Sequence, residues 1–167
     1  MKDDNLAWCF KQKHGIRIVE PNEDLSKAYL KKATSALNTM TAALKIQETD
    51  WIVTTAYYAR YFALYSLLMK IGIKSEIHDC TIRIGRYLSE NGILNKNLID
   101  DIEKAKQTRV DMQYYVAREF SVKETKNNVE SARKFVLDIE KETENLTTDK
   151  VNFLRDQLKK VQNLKSV

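Results

Sequence analysis

Arg109, Asp111, Tyr114 and Tyr115 fall in one short run, Arg109-Val-Asp-Met-Gln-Tyr-Tyr115. A cation, a carboxylate and two phenols at one helix end could hold a phosphate or a ribose, with the guanidinium taking the phosphate and the carboxylate a ribose hydroxyl. On helical spacing Arg109 and Gln113 share a face with Val116, and Asp111 and Tyr115 share another. The same residues could also form a solvated helix end with one ion pair. His78, next to Asp79, could serve as a general acid or base, or simply anchor a loop. Tyr57, Tyr58, Tyr61 and Tyr65 form an aromatic stripe in which Tyr57, Tyr61 and Tyr65 recur at four-residue steps. Such a stripe can stack on nucleic-acid bases, but aromatic residues at helical spacing are more often core or dimer contacts. Arg60, the only charge in that segment, reads either as a snorkelling surface residue or as the partner of an acidic group.

The elements that position these residues are helices. The four Gly and one Pro are few turn formers, and none follows Gly92, which excludes a sandwich or barrel needing regular punctuation. Residues 1–21 precede any strong helical pattern and are expected to form an N-terminal extended segment, in which Gly15 to Pro21 alternate. Asn22 can cap a first long helix with Leu25, Tyr29, Ala33, Ala36, Met40 and Leu44 on its inner face. Thr49 or Asp50 can cap a second, apolar nearly all round, which runs from Trp51 to about Lys70, stops at Gly72, and must be covered by neighbours or a second subunit. A third helix starts near Asp79 and ends at Asn91-Gly92. A fourth starts near Asn95 or Asn97, with Leu98, Ile102 and Ala105 inward, and leads into Arg109. Ser121 and Glu124 have the spacing of a capping box, opening a fifth helix with Val122, Val129, Ala132, Val136 and Ile139 inward. Val151, Leu154, Leu158 and Val161 repeat in a different frame, so residues 148–167 form a separate C-terminal helix that packs on the bundle or on a partner. The expected fold is all-α, an up-and-down bundle of four to five main helices plus this last one.

The 167 residues suffice for one core, and a net charge of +5 spread over both ends of the chain permits nucleic acid without pointing to it. The chain has no Gly-rich phosphate loop, no HExxH and no GxSxG. Cys9 and Cys80 stand far apart without a CxxC, and two His are too few to complete a zinc site with them. Both cysteines are therefore expected to be reduced, in a cytoplasmic protein with no signal peptide, no membrane span, no metal and no cofactor.

The segment Thr55-Ala-Tyr-Tyr-Ala-Arg-Tyr-Phe-Ala-Leu-Tyr-Ser-Leu-Leu68, followed by Gly72 and His78, resembles the tyrosine-rich helix of HEPN-domain proteins with that family's Gly and His. The Arg109 to Tyr115 run before a capped helix resembles the family's Arg-and-Tyr stretch. The likeness covers roughly residues 22–143. It implies a helical bundle, usually a homodimer, often encoded with a minimal nucleotidyltransferase as a toxin–antitoxin-type pair. Many relatives are metal-independent ribonucleases that use an Arg followed, after four to six residues, by a His. Here those places hold Tyr114, Tyr115 and Val116, so the chain is closer to the branch with Arg and Tyr but no His. In a related variant the partner enzyme modifies a tyrosine, for which Tyr114 and Tyr115 are the candidates. The resemblance implies binding of a nucleotide, RNA or a nucleotidyltransferase at Arg109, Asp111, Tyr114 and Tyr115, with His78 as neighbour. A divergent endoribonuclease and a purely structural helical adaptor are the alternatives.

Overall fold

A computed structural model describes residues 2–115 and 119–163. Its order is α1 (Lys2–Lys11), β1 (Arg17–Ile18), α2 (Glu23–Lys45), α3 (Thr49–Ile71), β2 (Ile73–Lys74), α4 (His78–Glu90), α5 (Lys96–Tyr114), α6 (Val122–Glu144) and α7 (Thr148–Asn163). The all-α bundle expected from the sequence is what forms. Its only sheet among the described residues is the antiparallel pair of β1 and β2, with Arg17 opposite Lys74 and Ile18 opposite Ile73.

Local chemistry sets most boundaries. The Asn22 side chain accepts from Leu25 N at 2.8 Å and starts α2. Ser121 Oγ accepts from Glu124 N at 3.2 Å while the Glu124 carboxylate accepts from Ser121 N at 2.8 Å, completing the capping box of α6. The α3 helix starts at Thr49 without the expected side-chain cap. It ends at Gly72, whose φ of 83° is left-handed. There a Cβ would run into Arg155 and into the backbone of Val19 and Pro21.

The helix α3 is the axis of the bundle. It packs most extensively on α2, then on α6 and α5. Tyr57, Leu64, Leu67, Leu68 and Ile71 are fully buried along it. Its own neighbours cover it, so it needs no second subunit for that purpose. The one charge it carries between Asp50 and Lys70, Arg60, is 1% exposed and is the partner of an acidic group: Nε donates to Asp101 Oδ2 at 2.7 Å. Nη1 donates to Ala56 O at 3.0 Å and Nη2 to Asn128 O at 3.3 Å, while Ser131 Oγ donates to Asp101 Oδ1 at 2.8 Å. One ionic cluster thus ties α3, α5 and α6.

The helix α7 folds back on the bundle, burying Val151, Leu154 and Leu158. Its Arg155 donates to Val19 O and, from the same nitrogen, to Ile71 O at 3.1 Å and to Gly72 O at 3.3 Å, tying α7 to the end of α3 and to the segment after β1.

Three expectations are corrected. Residues 2–11 are helical rather than extended, and Leu6, Ala7 and Cys9 are buried. Cys9 and Cys80 are joined in a disulfide rather than reduced, because α1 packs on α4 and brings together residues 71 positions apart. Val122 is not inward: it is the first residue of α6 and is 87% exposed, while Leu25 and Leu44, near the ends of α2, are also exposed. Val116 and residues 164–167, the end of the expected C-terminal helix, lie outside the described residues.

The Arg60 cluster makes a stability prediction. Asp101→Ala leaves a buried guanidinium without its counter-charge and should cost about 3 kcal/mol. Arg60→Met, which removes the charge with its shape roughly kept, should cost clearly less. Denaturant unfolding of the two variants tests the order.

Candidate functional site

The site lies where the face of α5 bearing Lys106 and Arg109 meets the tyrosines of α3 and the start of α4. The Arg109 guanidinium carbon stands 4.9 Å from the centre of the Tyr57 ring and 5.9 Å from that of Tyr58. Ring π faces attract the cation without neutralising it. The side chain is half-buried, no carboxylate pairs with it among the described residues, and its Nε is buried with no hydrogen-bond partner. Leaving such a donor unmade costs about 1–3 kcal/mol, and because Nε is out of reach of solvent, the capacity of this guanidinium for an anion lies in its Nη groups.

His78, the first residue of α4, completes the cluster. Its Nδ1 lies 2.6 Å from the Tyr57 hydroxyl, and its ring stacks on Tyr61 with centroids 4.1 Å apart and planes inclined by 9°. Burial first, then the nearby Arg109 and Lys106 charges, hold the His78 pKa below its ordinary value, against the opposing effect of Asp79. Burial drives the Tyr57 phenol well above the usual tyrosine range, with Arg109 opposing. A neutral imidazole beside a protonated phenol is satisfied when Tyr57 donates to Nδ1, leaving the imidazole proton on Nε2. Lys106 pairs with Asp79 across the α5–α4 seam.

The N-terminal segment buttresses the approach to His78. The backbone N–H of Glu76 donates to His14 O at 2.9 Å. The Glu76 carboxylate gathers His14, Arg17 and Lys74, and hydrogen bonds from Lys74 and His14 bring its pKa down to about 2. The Cys9–Cys80 bridge fixes the first turn of α4 two residues beyond His78.

The residues singled out in the sequence divide. Arg109 and His78 converge on the same tyrosines. Asp111 is two positions beyond Arg109, about 200° around the helix. Its carboxylate accepts from Gln107 Nε2 at 2.7 Å. Tyr114 and Tyr115 stand at the end of α5, 75% and 65% exposed. Sequence reasoning missed Lys106 and the split of the tyrosine stripe, in which Tyr57, Tyr61 and Tyr65 are buried and Tyr58 reaches the surface. The three-residue step from Lys106 to Arg109 was the available signal. Among the described residues no group of three or more His, Cys, Asp or Glu is placed to hold a metal ion, and no helix is long and apolar enough to cross a membrane.

An all-α bundle with an Arg, a His and a tyrosine-lined central helix at one site defines the class. Residues 26–146 match the HEPN domain, and the chain belongs to that family. The matched stretch begins in α2 and ends just past α6, so Arg60, His78, Cys80 and Arg109 lie within it, and α1, β1 and α7 outside. No curated protein matches the chain.

The depressed His78 pKa has a pH consequence. Below about 6.5 the unfolded chain takes up a proton that the folded site still refuses, so this contribution, present above that pH, is lost as pH falls through the lowered folded value. Stability should therefore drop between neutral and mildly acidic pH. His78→Phe, which keeps the stacked ring, should flatten this window in urea unfolding, leaving the separate loss between about pH 4.5 and 2 that belongs to Glu76.

Proposed function

We propose that the chain binds a phosphate-bearing ligand, a nucleotide or RNA, at Arg109. The observation that carries this is the Arg109 guanidinium resting on Tyr57 and Tyr58 with no carboxylate partner among the described residues. An arginine kept for stability would be expected to have oxygen partners, as Arg60 and Arg155 do. Lys106 lies on the same face of α5 but is already paired with Asp79, so Arg109 is the cation left for the phosphate. His78 Nε2–H supplies a neutral donor beside it. Asp111, about 200° around α5 from Arg109 and bonded to Gln107, faces away from this ligand and is no longer a candidate for its ribose hydroxyl, and the exposed Tyr114 and Tyr115 lie beyond it at the helix end.

Membership of the HEPN family supports nucleotide- or RNA-related work in general. Pairing with a second copy and with a minimal nucleotidyltransferase, as one component of a toxin–antitoxin-type pair, extends this reading. The exposed Tyr114 and Tyr115 are open to modification by such an enzyme. A cytoplasmic setting was inferred partly from reduced thiols, and the Cys9–Cys80 bridge removes that support.

The test is thermal stability with and without ATP, other nucleotides and a short RNA, run beside Arg109→Ala. A ligand specific to the folded state at 100 times its Kd stabilises by about 2.7 kcal/mol. Stabilisation by at least one of these ligands, lost in Arg109→Ala, is the expected result. No shift with any of them would turn the reading to a protein-binding adaptor.

A second reading, metal-independent RNA cleavage, is favoured by one observation: His78 brings an imidazole to the arginine from another helix, although the chain has no His after Arg109 at the family's spacing. With its pKa lowered, His78 is neutral near pH 7, and this reading requires the other tautomer, in which Nδ1–H donates to the Tyr57 hydroxyl and leaves Nε2 free to take up a proton. Cleavage of a short RNA should then vanish in both Arg109→Ala and His78→Ala. Activity that survives either change eliminates this reading.

A further inference from the structure

Apart from its first two residues, α3 is buried except at Trp51, Thr55, Tyr58, Phe62 and Lys70. Steps of four, three and four from Trp51 to Phe62 put those residues on one edge. The water-facing edge of a helix is normally charged, and the middle of this one is aromatic instead. The rings continue across to α2. Tyr58 and Phe62 have centroids 5.8 Å apart with planes inclined by 26°, and Phe62 and Tyr29 are 6.3 Å apart and inclined by 29°. All three are half-buried.

A cation stands at each end of this row. Lys32 Nζ lies 5.0 Å from the Phe62 centroid and 5.6 Å from that of Tyr29, and Arg109 lies over Tyr58. Lys32 has no carboxylate partner among the described residues and its side chain is exposed, so it is free to swing from ring to phosphate. Near-parallel rings in sequence, flanked by unpaired cations, are the elements of a sequence-tolerant surface for a single strand: bases stack on the rings and phosphates meet the cations.

We propose that Tyr58, Phe62 and Tyr29 form a base-stacking track for single-stranded nucleic acid, leading from the phosphate site at Arg109 to Lys32. The track rests on the reading of Arg109 as a phosphate site and extends it from one nucleotide to several. Trp51, 62% exposed on the same edge, lies beyond the continuous row.

The experiment measures binding of a fluorescently labelled uridine hexanucleotide, its deoxyribose counterpart and UMP to the full chain and to Phe62→Leu, Lys32→Glu and Arg109→Ala. Circular dichroism and thermal unfolding check that each variant is folded. The exposed Lys32→Glu keeps the test decisive if Phe62→Leu unfolds. The hexanucleotides should bind more tightly than UMP. Phe62→Leu should weaken them about 5- to 150-fold, the range for one stacked base, without affecting UMP. Lys32→Glu should weaken them with UMP again unchanged, and Arg109→Ala should weaken all three. RNA and DNA should differ little, since both offer the same π faces. Hexanucleotides that bind no better than UMP, or equally well to Phe62→Leu and Lys32→Glu, overturn the track while leaving Arg109 in place. Hexanucleotide binding that survives Arg109→Ala but is lost in Phe62→Leu supports the track and removes the Arg109 reading. No binding of any probe overturns both.

Discussion

One charge sets the arrangement of the bundle. Between Asp50 and Lys70 the helix α3 carries only Arg60, and the apolar residues around it require that stretch to be buried. A buried guanidinium is tolerable only with a counter-charge and filled donors. Asp101 of α5, with Ser131 and the Asn128 carbonyl of α6, meets that condition. Hydrophobic burial is non-directional and would let the helices slide, whereas an ion pair at 2.7 Å with the hydrogen bonds to the Asn128 carbonyl and from Ser131 selects one register.

The site inherits that register. Tyr57 lies about one turn before Arg60 on α3, and Arg109 lies two turns beyond Asp101 on α5. Fixing Arg60 against Asp101 therefore helps to lay the later turns of α5 over the tyrosines. On the other side, α4 starts at His78, and the backbone bond between Glu76 and His14, the β1–β2 pair and the Cys9–Cys80 bridge steady that start. The N-terminal segment, outside the stretch matching the HEPN domain, thus supports the loop that delivers the imidazole.

What was legible in the sequence follows from where each element draws its stability. The helices α2, α5 and α6 carry apolar residues at helical spacing together with Asn or Ser caps, so local signals and tertiary packing agree. The helix α1 has no such agreement: it is held by the disulfide to α4 and by burial of Leu6 and Cys9, which depends on α4 and α7 being in place. The bridge was hidden for the same reason, since 71 intervening residues say nothing about proximity. Arg109 and His78 were recognisable singly through their context. Tyr57 and Tyr58 were visible only as part of a stripe, because neighbouring helical residues look alike in sequence and are separated only by what packs on each side. The contact between Arg109 and those rings joins α3 to α5 and has no local signature.

The arginines of this protein show how environment divides one side chain into different tasks. Arg86 is neutralised by Asp100 and Glu103 on the surface, Arg60 by Asp101 in the interior, and Arg155 is spent on the carbonyls at the end of α3. Each has its charge or its donors matched by oxygen. Arg109 is matched by the faces of Tyr57 and Tyr58, which orient the guanidinium but accept no conventional hydrogen bond from its edge. Orientation without neutralisation is the combination an anion-binding arginine requires, because a carboxylate in the same place would have to be displaced before a phosphate could enter. The buried tyrosines of α3 thus serve the core and the site together: the apolar bodies that bury the helix also present the π surface that holds the cation ready.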